Sequence, residues 1–104
     1  MNPFDVYIAY VSWGADGKNR PVLIIAKGDE ANTYIAFRIT TKYVNKSVAI
    51  KKNYIKLVDF RHAGLRVLSY VDMNSAIKVH TEDILEYVGQ LTARDKERIQ
   101  NHVS

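Results

Sequence analysis

Arg20-Pro21-Val22-Leu23-Ile24-Ile25-Ala26-Lys27 is the stretch from which the fold can be read. Its apolar run has the length of a strand, and it is apolar on both faces, which predicts a central strand covered on two sides. Pro21 can stand at the beginning of such a strand, where its missing N–H costs no ladder bond. On the N-terminal side, residues 6–13 alternate Val6, Ile8, Tyr10 against Tyr7, Ala9, Val11, a strand pattern rich in β-branched and aromatic residues. Residues 14–19 between them read as a turn-rich loop. On the C-terminal side, residues 28–32 read as a short hairpin connection into a strand over 33–40. That strand sets Ile35, Phe37 and Ile39 on one face and Tyr34, Ala36, Arg38 and Thr40 on the other. Same-face neighbours stand roughly 6.5–7 Å apart, so Arg38 and Thr40 can touch adjacent groups of one ligand.

Beyond residue 40 the pattern shortens. Residues 41–46 read as a polar loop, and short strands are predicted near 47–51 and 54–58. Residues 59–64 fit one or two helical turns, with Asp59 as N-cap and Gly64 as stop. Strands are predicted over 67–72 and 77–80, then a capped turn over 81–85 and a strand over 86–90. A terminal helix starts after Thr92, whose hydroxyl can cap it, with Asp95 three residues on and Ile99 and Val103 as docking residues. Many short strands and one small helix predict a mainly β, strongly bent barrel, in one domain over 1–104.

The composition excludes several function classes. A chain of 104 residues, 47% hydrophobic and 25% charged, suits one ordinary globular domain. No apolar run approaches the roughly 20 residues that span a bilayer, and no basic segment followed by an apolar one opens the chain. Cysteine is absent, so disulfides and thiolate metal sites are excluded and a reduced, cytoplasmic setting is expected. His62, His80 and His102 have no metal-ligand spacing, and no phosphate-binding glycine loop or nucleophile elbow occurs. Neither a metal nor a cofactor is expected. Trp13 reads as core or rim packing.

Charge is distributed unevenly. The formal net charge is +4, yet the segment from Ala31 to Val58 holds no acid and six bases, Arg38, Lys42, Lys46, Lys51, Lys52 and Lys56. Tyr34, Phe37, Tyr43 and Tyr54 are interleaved with them. Cations that neutralise phosphates beside rings that stack bases make a surface for single-stranded nucleic acid. The same lysines also suit a solvated face that keeps sheet edges from pairing.

Three stretches carry a resemblance. Gly14, then Asn19-Arg20-Pro21-Val22-Leu23-Ile24-Ile25, then Ile39-Thr40-Thr41 are similar to the MazF/PemK/Kid family of toxin endoribonucleases. Phe60-Arg61-His62-Ala63-Gly64-Leu65, Ser69-Tyr70-Val71 and Gly89-Gln90-Leu91-Thr92 resemble its short PemK-like branch. The resemblance implies an SH3-like barrel, a homodimer, inhibition by a protein antitoxin, and metal-independent cleavage of single-stranded RNA to a 2′,3′-cyclic phosphate. By residue match, Arg20 stands for the family's catalytic arginine and Thr40 for its catalytic threonine. Guanidinium groups are poor bases at neutral pH, and Asp72, near where some members carry an acid, is the candidate base. Arg38, Lys42, Lys46, Lys51 and Lys52 are the candidate RNA-binding residues. A non-catalytic RNA-binding barrel and a gyrase-targeting toxin of the same fold are the alternatives.

Overall fold

The first two strands form a long antiparallel hairpin. β1 (Asp5–Trp13) and β2 (Asp16–Lys27) pair from Val6↔Leu23 to Trp13↔Asp16. The expected loop over 14–19 is therefore only the two-residue turn Gly14-Ala15. Gly14 has φ +55°, a conformation that a residue without Cβ adopts at least cost. The polar, glycine-containing segment after it misleads because its strand character comes from cross-strand contact. At Gly17 a Cβ would stand 2.3 Å from Tyr10 Oη, so glycine makes room for the tyrosine lying over it. In a computed structural model, the description covers residues 1–103, with the side chain of Val103 and all of Ser104 outside the described residues.

β3 (Thr33–Thr40) pairs with β2, and β5 (Tyr70–His80) pairs with β3 on its other side. β4 (Tyr54–Lys56) flanks β5, and β6 (Ile84–Gln90) flanks β1. The order β4-β5-β3-β2-β1-β6 gives one six-stranded antiparallel sheet, bulged in three of its pairings. Bulges bend strands and increase their twist, and the result is barrel-like with β4 and β6 as its edges. As its double apolarity predicts, β2 is central and covered on both faces: Val22, Leu23 and Ile24 are buried in succession. Leu23 packs with Val6, Ile39, Val71, Leu57, Leu91 and Ile99, the last from helix α2 (Ala93–Val103). Val22 and Ile24 pack on the other face with Ala9, Val11, Ala36 and Val79.

Two strand expectations are corrected. Residues 47–51 form no strand but one helical turn, α1 (Val48–Lys51), with the Ser47 Oγ accepting the Ile50 N–H at 3.3 Å. No residue of that turn is buried, so no sheet packing competes with the local serine cap. The separate strands predicted over 67–72 and 77–80 are one continuous β5, which begins at Tyr70 and runs through the exposed Asn74, Ser75 and Ala76 at the irregularity in its pairing with β3. Residues 81–85 contribute a 3₁₀ turn, Thr81–Asp83.

Residues 59–64 form turns, with the Ala63 N–H donating to Asp59 O at 3.3 Å and Gly64 closing them at φ +87°. Thr92 caps α2 as expected, its Oγ1 accepting the Asp95 N–H at 3.4 Å. Asp95 does not complete a capping box. Its buried carboxylate leaves the helix and accepts the N–H groups of Val58 (3.0 Å) and Asp59 (2.8 Å). Asp59 does not cap its own turn either: it accepts from Thr92 Oγ1 and from Arg94. Those hydrogen bonds, Arg94 first and Thr92 second, hold its carboxyl at about 2. Among the described residues no helix is long and apolar enough to cross a membrane.

Candidate functional site: a basic cleft between β2 and β3

The pairing Val22↔Arg38 fixes what faces what at the open end of the β2–β3 ladder. Two residues beyond that last pair, Arg20 on β2 and Thr40 on β3 fall on the sheet face of Val22 and Arg38 by strand alternation. The two residues line one cleft of about 250 Å³, with Lys18, Pro21, Lys42 and Ser69 among its other walls. No carboxylate lines it, while Lys18, Arg20 and Lys42 do. Uncompensated cations at a concave surface attract anions.

Arg20 is half-buried, and its Nε is buried with no hydrogen-bond partner. Its Cζ lies 5.2 Å from the centroid of the Trp13 ring. Thr40 Oγ1 accepts the backbone N–H of Lys42 at 3.1 Å, which leaves the hydroxyl hydrogen available to another acceptor. The strand partner of Thr40 is Tyr70, whose ring stacks on Tyr43 at 4.4 Å and 9°. Lys51 Nζ lies 4.8 Å from the Tyr43 centroid, so the loop that follows Thr40 is pinned by a stack of two rings and a cation. Ser69, buried, donates its hydroxyl to Val67 O at 2.9 Å, a structural bond.

The other candidates are distributed around this centre. Lys46 joins Lys42 on a neighbouring hollow of about 430 Å³ formed by residues 41–46. Lys51 is engaged with Tyr43, and Lys52 is exposed at the end of α1. Arg38 and Asp72 are strand partners, and Tyr54 of β4 pairs with Asp72 from the other side. They lie two residues along from the Thr40–Tyr70 pair and outside the cleft. Asp72 Oδ1 accepts from both the N–H (2.9 Å) and the side-chain amide (2.8 Å) of Asn74. Burial raises the Tyr54 hydroxyl pKa, the Asp72 charge raises it further, and Arg38 opposes them.

Sequence reasoning missed Lys18, the Tyr43–Tyr70 stack and the contact of Trp13 with Arg20. Lys18 had a signal: it stands two residues before Arg20, hence on the same face once the strand is known to begin at Asp16.

The model of the PemK-like, MazF-like toxins of type II toxin-antitoxin systems matches residues 2–104. This chain belongs to that toxin family. No curated protein matches the toxin. Its fold is similar to that of Mycobacterium tuberculosis toxin MazF-mt6, with a TM-score of 0.71 and 20% identity over 95% of this chain and 91% of that one. An endoribonuclease from Mycobacterial species in complex with its cognate antitoxin gives a TM-score of 0.66 and 16% identity, covering 96% of this toxin and 85% of that chain. A structure described as an Mtb toxin gives 0.66 and 20%, covering 95% and 94%. The MazF/PemK-like resemblance and the mainly β, barrel-like fold expected for the toxin are thus both found.

Proposed function

We propose that this toxin is an endoribonuclease that cuts single-stranded RNA without a metal, and that Arg20 and Thr40 are its catalytic pair. The observation that carries the reading is their convergence on one acid-free cationic cleft. A phosphodiester seated there meets a guanidinium fork that can hold two of its oxygens and a hydroxyl that can donate to one of them. The RNA's 2′-hydroxyl gives up its proton and its oxygen attacks the adjacent phosphorus, the P–O5′ bond breaks, the departing 5′-oxygen takes a proton from solvent, and the products are a 2′,3′-cyclic phosphate and a 5′-hydroxyl. Arg20 and Thr40 stabilise the negative charge that grows on the non-bridging oxygens. Asp72 is assigned the proton-accepting role through one intervening water, since it lies outside the cleft, two residues along from the Thr40–Tyr70 pair, with its carboxylate held by Asn74.

Lys42 and Lys46 carry the flanking phosphates in this reading, with Arg38, Lys51 and Lys52 along the same acid-free segment. A protein antitoxin with an acidic segment is the proposed inhibitor, by analogy with the cognate complex of the structural neighbour. A homodimer is proposed with it; edge strand β6, where Leu85 and Tyr87 are both more than half exposed, is open for such contact.

The deciding experiment incubates purified protein with a long single-stranded RNA in EDTA. Discrete fragments with 5′-hydroxyl ends are expected. A gel shift with no fragments would replace the enzyme by a binding module, and neither fragments nor a shift would leave a toxin with a protein target. Binding to an uncleavable 2′-deoxy-substituted strand is expected to weaken with salt. If Lys18, Arg20, Lys42 and Lys46 each neutralise one phosphate, log K falls against log salt with a slope of about −3, since each single-strand contact contributes about −0.7. Lys42→Ala with Lys46→Ala is expected to flatten that slope by about 1.4. A slope unchanged in the double variant would move the flanking phosphates elsewhere.

A further inference from the structure

Trp13 closes β1 and pairs with Asp16, which places its ring on the face of Ala9 and Val11, the strand partners of Arg20 and Lys18. The indole is 46% exposed, too open for a core residue, and it lies against the Arg20 guanidinium at 5.2 Å. Arg94 and Arg98 of α2 each have a carboxylate within ion-pair range. Arg20 has no such partner among the described residues, and its Nε is buried without one. A long, flexible cation is therefore held in the cleft by a ring face and not by a counter-ion. The difference matters chemically. A carboxylate would fix the guanidinium but also neutralise it and compete with phosphate for the same N–H groups. A flat aromatic face restrains the plane of the guanidinium while leaving its charge and its fork free.

We propose that Trp13 is a positioning residue, an aromatic plate that aligns Arg20 for the scissile phosphate without discharging it. This inference rests on the nuclease reading above. The test compares Trp13→Ala and Trp13→Phe in steady-state cleavage of a short single-stranded RNA in EDTA, with folding checked by circular dichroism. Trp13→Ala is expected to lower kcat about 10-fold with KM within about threefold of wild type, because alignment is lost in the transition state more than in the ground state. Trp13→Phe, which keeps a flat ring, is expected to restore kcat to within about threefold. In an Arg20→Ala background, Trp13→Ala is expected to add no further loss, since one residue acts through the other. Wild-type kcat in Trp13→Ala, or losses that multiply in the double variant, would overturn the proposal.

The chain's single tryptophan supplies a readout independent of cleavage. Its emission is expected to shift in Arg20→Ala, and an unchanged spectrum would show that the two side chains do not touch in solution. Should the wild type bind RNA without cutting it, the nuclease reading falls and affinity decides for Trp13. Equal weakening by Trp13→Ala and Arg20→Ala, measured by fluorescence anisotropy of a labelled RNA, would support its positioning role. Wild-type affinity in Trp13→Ala, or no Arg20-dependent binding at all, would overturn it.

Discussion

Arg20→Ala and Thr40→Ala are each expected to slow RNA cleavage by ~100-fold or more, with the fold intact, because in the proposed reaction each removes a donor aimed at charge that develops on the phosphorus oxygens. The two losses have different conservative rescues. Arg20→Lys keeps the positive charge but loses the planar fork, so it is expected to recover only part of the rate. Thr40→Ser keeps the hydroxyl that accepts from Lys42 N and donates to the substrate, and is expected to stay close to wild type. Thr40→Val preserves shape and loses both roles, and is expected to behave like Thr40→Ala. The measurement is the initial rate of fragment release in EDTA, with a 5′-end labelling step that reports free 5′-hydroxyls. Near-wild-type cleavage by Arg20→Ala or by Thr40→Val would remove that residue from the reaction. Both side chains are only partly buried, so loss of activity through unfolding can be separated by a thermal melt.

Asp95→Ala carries the largest stability effect expected, about 3 kcal/mol by urea denaturation. The carboxylate is 1% exposed and accepts two backbone N–H groups, those of Val58 and Asp59. Removing it leaves two donors unpaired beneath the helix, and that desolvation penalty is the main part of the loss. Asp95→Asn keeps one acceptor oxygen and is expected to lose about half as much. A change below about 0.5 kcal/mol would show that water satisfies both amides instead. Acid adds a second test at the neighbouring site. The folded pKa of Asp59 is depressed to about 2, below the unfolded range near 3.9, so its contribution is complete above that range and is lost as pH falls through 2. The acid side of the stability profile is expected to flatten in Arg94→Ala, which removes the first cause of the shift.

The legible part of the fold was the part where hydrophobic pattern alone dictates burial. Val22, Leu23 and Ile24 can all be buried only in a central strand, and the alternation of 33–40 fixes which side of β3 carries Arg38 and Thr40. Residues 47–51 read as strand because Val48 and Ile50 are β-branched, while the Ser47 cap and the lack of any buried surface decide for a helical turn. Residues 16–19 read as loop although they are strand, since Gly17 follows from the position of Tyr10, a residue of another strand. The same distinction governs the site. Arg20 and Thr40 are readable because they fall in a recognisable order, Arg20 just before the apolar run of β2 and Thr40 at the end of β3. Their meeting in one cleft, the ring of Trp13 behind Arg20 and the tyrosine stack behind Thr40 are set by register and loop path, which no local window of sequence contains.

β1 lies between its hairpin partner β2 and β6, and Asp5 meets Gln90 by a side-chain bond across 85 positions of the chain. Closing that pairing demands a long loop, the kind of contact that slows folding and delays it to the end of the reaction. On the ribosome, the ladder to β6 cannot form until residue 90 has left the exit tunnel. β2 and β3, which carry Arg20 and Thr40, both precede β6 in the chain and can pair before β1 gains its outer neighbour. The hairpin that carries the proposed site can thus stand ready while the outer side of β1 is still bare, and anything that binds this toxin early meets a sheet with one flank open.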